Sequence, residues 1–250
     1  MADRYFVETP ITGERATLAA AEAHHLAHVM RAKPGTLVTL FDGSGCEFAA
    51  RVERVGRSEI DLSVLERQSV DRELAIDLTL AAALPKGDRQ RWLIEKAVEL
   101  GVTRFVPLET ERGVAQPSGG ALERLRRGVI EASKQCGRNR LMEVAEPMLL
   151  NGLLAGDAQP TAKQTVRWLA HPGGMSMAEA TRALHDGQLG DVLIAVGPEG
   201  GFTAGETSLA TQRGWQVVGL GERILRVETA ALLLAAIAAV HCGGPESNDY

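Results

Sequence analysis

Aromatic residues are scarce in this chain: five phenylalanines, three tryptophans and two tyrosines among 250 residues. With so few stacking surfaces, an extended single-strand platform, on which successive bases lie against aromatic rings, is excluded. Cysteine is scarcer still. Cys46, Cys136 and Cys242 lie far apart with no CxxC, which argues against a disulfide framework or a zinc module. No apolar run reaches the ~20 residues of a bilayer span; the longest, residues 230–240, reads as a buried helix. There is no GxGxxG after the first strand of the α/β part and no GxxxxGK[ST], so a dinucleotide or P-loop site has little support. A GxSxG elbow is missing too, which disfavours hydrolase chemistry. Met1-Ala2-Asp3-Arg4 is not a basic region leading into an apolar one, so no export signal is read, and the chain is expected to be cytoplasmic.

What is present is ordinary for a globular chain: 45% hydrophobic and 24% charged residues, enough length for one large domain or two modest ones. The formal net charge of −5 hides an asymmetry. Residues 84–140 carry 12 Lys and Arg against 7 Asp and Glu, a surplus of 5 positive charges, while the segments on either side are acidic. A local basic field matters more to a polyanion than the net charge.

Patterning divides the chain near residue 73. Before it, short alternating runs at 4–7, 36–41, 46–55 and 60–65, with an Asp42-Gly43-Ser44-Gly45 turn and a helix at 20–31, predict a small β barrel or sandwich. After it, strands at 74–80, 104–108, 166–170, 191–196 and 216–220 alternate with helices at 88–100, 121–136, 176–185, 205–213 and 229–241, the last three strands being followed by Gly-rich segments. That alternation predicts a parallel sheet covered on both faces. Loops are expected at 116–120 and 156–159, and Gly187 is expected to end the helix at 176–185.

Three Gly-rich loops are expected after strands: Leu169-Ala170-His171-Pro172-Gly173-Gly174, then Val196-Gly197-Pro198-Glu199-Gly200-Gly201-Phe202-Thr203, then Gly219-Leu220-Gly221-Glu222-Arg223-Ile224-Leu225-Arg226-Val227-Glu228-Thr229-Ala230. Ligands of open α/β sheets bind beyond the carboxyl ends of the strands, where such segments converge, and glycine lets backbone approach a flat ligand closely. Arg223 and Arg226 could hold a carboxylate or phosphate, or stabilise an anion formed in a reaction; a helix-entry salt bridge is the plainer alternative. His24 and His28 lie one helical turn apart without a third well-placed ligand, so no metal site is read.

The second and third segments together closely resemble the signature of the RsmE family, bacterial methyltransferases of the SPOUT superfamily that act on N3 of a uridine in 16S rRNA. Glu95-Lys96-Ala97-Val98-Glu99-Leu100-Gly101-Val102, Glu131-Ala132-Ser133-Lys134-Gln135-Cys136-Gly137-Arg138, His24-His25-Leu26 with Arg31, and Phe41-Asp42-Gly43 extend the likeness over nearly the whole chain. The resemblance implies an N-terminal PUA-like β-barrel domain over residues 1–73 and a C-terminal SPOUT α/β domain over 74–250 with a deep trefoil knot. It also implies a homodimer and S-adenosylmethionine as cofactor, held by Leu169, His171, Gly197, Pro198, Glu199, Gly200, Gly201, Leu220, Gly221, Ile224, Leu225, Arg226, Thr229 and Ala230. Arg226 would stabilise the uracil anion; Glu199, Glu228 or solvent would accept the proton. RNA contacts fall on Arg4, His25, Arg31, Lys86, Arg89, Arg91, Lys96, Gln135 and Arg138, with Arg124, Arg126, Arg127, Lys134 and Arg140 as further cations. The expected partner is 16S rRNA or the small ribosomal subunit, with neither membrane nor metal. A ribose 2′-O-methyltransferase of the same superfamily, or a non-catalytic ribosome-assembly protein, is the alternative.

Overall fold

The computed structural model describes residues 3–113, 119–156, 164–185 and 189–242; Gly187 and most of the two loops expected at 116–120 and 156–159 lie outside these. The chain forms two compact units, Met1–Glu73 with Ile130–Leu141, and Leu74–Val129 with Met142–Tyr250.

The first unit is built on β1 (Arg4–Phe6), β2 (Arg15–Ala19), β3 (Leu37–Phe41), β4 (Cys46–Val55) and β5 (Glu59–Ser69), in the order β1-β3-β4-β5-β2. Only β1 and β3 run parallel. Two-residue alternation decides which face is buried: Cys46, Phe48, Ala50 and Val52 of β4 and Ile60 and Leu62 of β5 point into one core with Tyr5, Leu18 and Leu40. The β4–β5 register shifts twice, between Ala49 and Ala50 and between Val52 and Arg54, irregularities that curl the sheet around that core. Between β2 and β3, α1 (Ala20–His24) continues into a π-helical turn, His25–Val29, that adds Leu26 to the core. β2, which the alternation did not reveal, pairs its whole length with β5.

The turn after β3 is tied by Asp42, whose carboxylate accepts from the backbone N–H of Ile11 at 2.8 Å and of Ser44 at 3.0 Å. Burial alone would push this carboxyl up; the hydrogen bonds from Ser44 and Ile11 outweigh it and hold it below the ordinary carboxylate range.

In the second unit a parallel sheet runs β12-β10-β11-β6-β7-β8, made of β6 (Asp77–Ala82), β7 (Arg104–Glu109), β8 (Glu143–Val144), β10 (Gln164–Met175), β11 (Leu189–Val196) and β12 (Gln216–Val218), with β9 (Met148–Leu149) on the end of β7. Leu78 and Leu80 of β6, Val192 and Ile194 of β11 and Trp168 of β10 are all but inaccessible, as both faces are covered. The helices are α2 (Arg89–Glu99), α3 (Gly119–Cys136), which from Ile130 onward belongs to the first unit, α4 (Leu150–Ala155), α5 (Met177–Ala180), α6 (Ala204–Gln212) and α7 (Val227–Cys242).

One expectation needs correcting. The first Gly-rich segment is not a loop after the strand: β10 extends through it to Met175 and pairs with β12 twice, Ala170 and Met175 both opposite Val218. Gly219 N–H donates to the Met175 carbonyl at 2.8 Å. Two glycines make this approach possible. A Cβ on Gly174 would stand 2.7 Å from the Val217 and Val218 backbone, and one on Gly219 3.0 Å from the Gly174 carbonyl oxygen.

Candidate active site

Residues 170–172 within β10, the end of β11, the segment after β12 and the start of α7 enclose a cavity of about 610 Å³, its mouth included. His171, Gly197, Pro198, Glu199, Gly201, Leu220, Gly221, Ile224, Leu225 and Ala230 line it, and all ten were singled out in the sequence. Leu169 is fully buried beneath it in the sheet, Gly200 faces a neighbouring cavity, and Arg226 and Thr229 are exposed and outside the lining. Ala170, Pro172, Val196, Arg223 and Val227 line it as well.

Each Gly-rich segment has a local reason for its shape. In the second, Gly201 N–H donates to the Pro198 carbonyl at 2.7 Å, closing a tight turn that leaves Gly201 at a φ of +66°. Gly197 makes room for the buried Phe202 ring, whose atoms would lie 3.2–3.3 Å from a Cβ. The segment then enters α6 through a capping box: Thr203 accepts from Glu206 N–H at 3.2 Å, and Glu206 accepts from Thr203 N–H at 2.7 Å. The other Glu206 oxygen accepts from Glu111 N–H, tying this segment to the end of β7. From the same side the Arg112 guanidinium donates to the Gly200 carbonyl at 2.8 Å.

The lining suits a flat ligand with a charged tail. Gly201 and Gly221, both at positive φ, would carry Cβ atoms that meet nothing within 4 Å, so the space beside them is open. Val196, Leu225 and Ala230 supply apolar wall, and Glu199 and Arg223 supply one charge of each sign. Of the arginine pair, Arg223 lines the cavity; Arg226 sits just before α7 and its guanidinium has no partner among the described residues.

Behind the cavity, Glu228 in the first turn of α7 is almost fully buried, and Arg89 of α2 donates to both its oxygens at 3.3 and 3.5 Å. The other end of the Arg89 guanidinium lies 4.0 Å from Glu199, which is more than half exposed. Of the two carboxylates, Glu228 is therefore committed to an ion pair and Glu199 faces the open site.

Pro198 and Glu199 also wall a second cavity, of about 1290 Å³ with its mouth, lined by residues beyond β6 (Leu84, Lys86), beyond β7 (Thr110, Arg112, Gly113) and by Leu149.

The cations expected to touch RNA differ in availability. Arg31, at a φ of +53°, and Lys86, Arg91 and Arg140 are exposed, as are His25 and Gln135. Arg91 and Lys96 make surface pairs along α2 with Glu95 and Glu99, both at 2.6 Å. Arg126 pairs with Glu123 and Glu146, and Lys134 with Glu22. Arg138 is buried and Arg4 half-buried: Arg4 binds Glu47 at 2.5 Å and the Asn139 side chain at 2.6 Å, and Arg138 grips Glu73 through two nitrogens. Their charge is spent inside the first unit. Sequence reading saw the cations without their partners. It also missed the capping box, although Thr203 and Glu206 have the required spacing.

The His24 and His28 rings lie 4.6 Å apart. Among the described residues no group of three or more His, Cys, Asp or Glu could hold a metal ion, and no helix is long and apolar enough to cross a membrane.

Comparison with known proteins follows the same lines. Residues 72–239 match the family model of the RNA methyltransferase domain, and residues 18–65 that of the RNA methyltransferase PUA domain. The chain is 37% identical over 230 residues to ribosomal RNA small subunit methyltransferase E of Synechocystis sp., covering 88% of this chain and 71% of that protein. It is 33% identical to the protein of the same name from Bacillus subtilis, covering 92% and 93%. The chain belongs to the RsmE family. A solved member of the family, from Neisseria gonorrhoeae and bound to S-adenosyl methionine, superposes with a TM-score of 0.85 at 29% identity, covering 97% of this chain and 99% of that one. The RNA methyltransferase match contains all three cavity-forming segments, so the RsmE assignment and the geometry concern the same residues.

Proposed function

We propose that this chain transfers a methyl group from S-adenosylmethionine to 16S rRNA, and that the acceptor is N3 of a uridine. The observation that carries this is the cavity between the middle of β10 and the segments that follow β11 and β12, formed by the family's signature residues and open beside Gly201 and Gly221. When bound, S-adenosylmethionine supplies an electrophilic methyl on a sulfonium. The residues named from the signature would hold it: His171 and the Gly197–Gly201 turn on one side, and Leu220, Gly221, Ile224, Leu225 and Ala230 on the other, with Leu169, Arg226 and Thr229 acting from beside the cavity.

The chain's own task is to prepare the acceptor. Uracil N3 carries a proton and is a poor nucleophile until it leaves; the departing proton puts negative charge across the imide. Glu199, exposed and lining the cavity, is placed to accept it, which typically contributes ~10²–10⁴-fold. Glu228 is not, because Arg89 holds it. Arg226, exposed with no ion-pair partner among the described residues, is the cation for the developing anion.

The surrounding assignments belong to the same reading. Residues 1–73 form the RNA-engaging PUA-like domain and 74–250 the methyltransferase domain. Arg31, Lys86, Arg91, Lys96, His25 and Gln135 meet the rRNA; Arg4, Arg89 and Arg138 act through their internal pairs. A deep trefoil knot in the methyltransferase domain is carried over from the family resemblance. The chain works as a homodimer in the cytoplasm: α7 leaves Leu233 and Val240 exposed on one face, and Ile224 before it is 93% exposed, an apolar strip that a second copy would cover.

The test has two parts. Calorimetry with S-adenosylmethionine should show binding, and mass spectrometry of 16S rRNA from a deletion strain should show one N3-methyluridine lost and restored by the gene. Absence of both effects overturns the reading.

A further inference from the structure

We propose that the second cavity, walled by Lys86, Arg112, Leu149 and the Pro198–Gly200 turn, is the seat of the methyl acceptor: a single pyrimidine nucleotide drawn out of its RNA stack. This rests on the reading of the first cavity as the cofactor site.

The argument begins with distance. Reacting atoms must come within ~3–3.5 Å, so the acceptor has to enter through space that adjoins the cofactor cavity. A base in a folded RNA cannot do so without leaving its stack, and the enzyme must offer a pocket for the extruded nucleotide. Among the described residues, two spaces that share lining with the cofactor cavity can be compared. One runs along Pro172–Met177 and Gly219–Glu222 to Leu233, and among the described residues that line it there is no cation to meet a phosphate, Glu222 being the charged one. The other is the second cavity, which shares Pro198 and Glu199 with the cofactor site.

The second cavity is lined by two cations, Lys86 and Arg112, beside two carboxylates, Glu109 and Glu199. Lys86 is exposed and its ammonium has no partner among the described residues, so it is free to meet a phosphate. The Arg112 guanidinium is fixed by its 2.8 Å bond to the Gly200 carbonyl, and its other N–H groups have no partner among the described residues. A rigid arginine with spare donors can pair with carbonyl or phosphate oxygens. Leu84 and Leu108 form an apolar back wall, and Leu149, 63% exposed, stands at the rim. The cavity lies beyond the carboxyl ends of β6 and β7, next in the sheet to β11, which leads into the shared turn. Glu199 thus stands between the two ligands.

The experiment uses the full-length protein, S-adenosylmethionine, and small subunits from a strain lacking the modification. Leu149→Trp fills the mouth of the cavity from an exposed position; Lys86→Gln removes the free cation. Both variants should bind S-adenosylmethionine within twofold of the parent. Leu149→Trp should slow single-turnover methylation at least tenfold. Lys86→Gln should raise KM with little change in kcat and reduce the salt slope of subunit binding by about one. Parental methylation by Leu149→Trp, or loss of cofactor affinity in it, overturns the inference. Failure of the parent protein itself to bind S-adenosylmethionine overturns the cofactor reading instead, and is seen before either variant is made.

Discussion

Arg89 spans two acids of different character: with one end it holds both oxygens of the buried Glu228, and with the other it approaches the exposed Glu199 at the edge of the cavity. Removing one partner of a buried pair strands the other's charge at ~3–5 kcal/mol. Because Arg89 is one-third exposed, Arg89→Ala should cost about 2–4 kcal/mol, read as a lowered urea midpoint. Glu228→Gln, which keeps shape and removes charge, should cost less. A variant series in which both changes leave the midpoint unmoved would deny the pair its role.

Arg223 and Arg226 are expected to separate by function. Arg223→Ala should weaken S-adenosylmethionine binding, because the side chain lines the cavity. Arg226→Ala should leave that affinity within a few fold and lower turnover about 10²-fold, the loss typical of one stabilising donor. Calorimetry and single-turnover methylation, run together, check both.

Gly174→Ala should be among the most damaging small substitutions. The added methyl meets the backbone of Val217 and Val218 at 2.7 Å, where no side chain can swing aside. Loss of cofactor binding and a fall in stability of about 1–3 kcal/mol are expected. Gly87→Ala, where a Cβ meets nothing within 4 Å, is the control: it bears only the strain of a φ of +67° and should keep cofactor affinity.

Acid should loosen the first unit through Glu47. Burial alone would raise its carboxyl, but hydrogen bonds from Arg72 and Arg4 outweigh that and hold it below the ordinary 4.5. A folded-state value lowered in this way gives stabilisation that is complete above pH about 4.5 and is lost as pH falls through the folded value. Thermal melts from pH 7 to 3 should therefore fall more steeply for the parent than for Glu47→Gln, the two approaching one another at the acid end.

Buried and exposed cations should part in salt titrations of RNA binding. Arg91→Ala should reduce the salt slope by about one. Arg138→Ala should instead destabilise the protein, since its guanidinium is clasped by Glu73, and leave the slope of the surviving folded protein unchanged.

Much of this was legible in the chain. β4 was read residue for residue because Cys46–Val55 alternates cleanly between a turn on either side, and α7 because its apolar run is long. The Gly-rich segments marked the cavity because glycine is needed where backbones close on one another. What stayed hidden depends on long-range partners. β2 has only five residues and owes its existence to β5; β8 and β9 have two each and are defined by β7. The extension of β10 through His171–Met175 was invisible because a Pro-Gly-Gly run reads locally as a turn, and only Val218 makes it a strand. Likewise Arg4 and Arg138 look like surface cations until Glu47 and Glu73 are found beside them.

The mutual approach of Gly174 and Gly219 has a consequence for how such a chain can change over time. Most surface connections tolerate an extra residue, because the added peptide swells outward into water. Here an insertion on either side would carry a glycine off its mark and set a side chain against a neighbouring main chain. Length itself is therefore constrained between positions 171 and 175 and between 217 and 221, and drift there has to proceed by exchange of residues rather than by gain or loss of them.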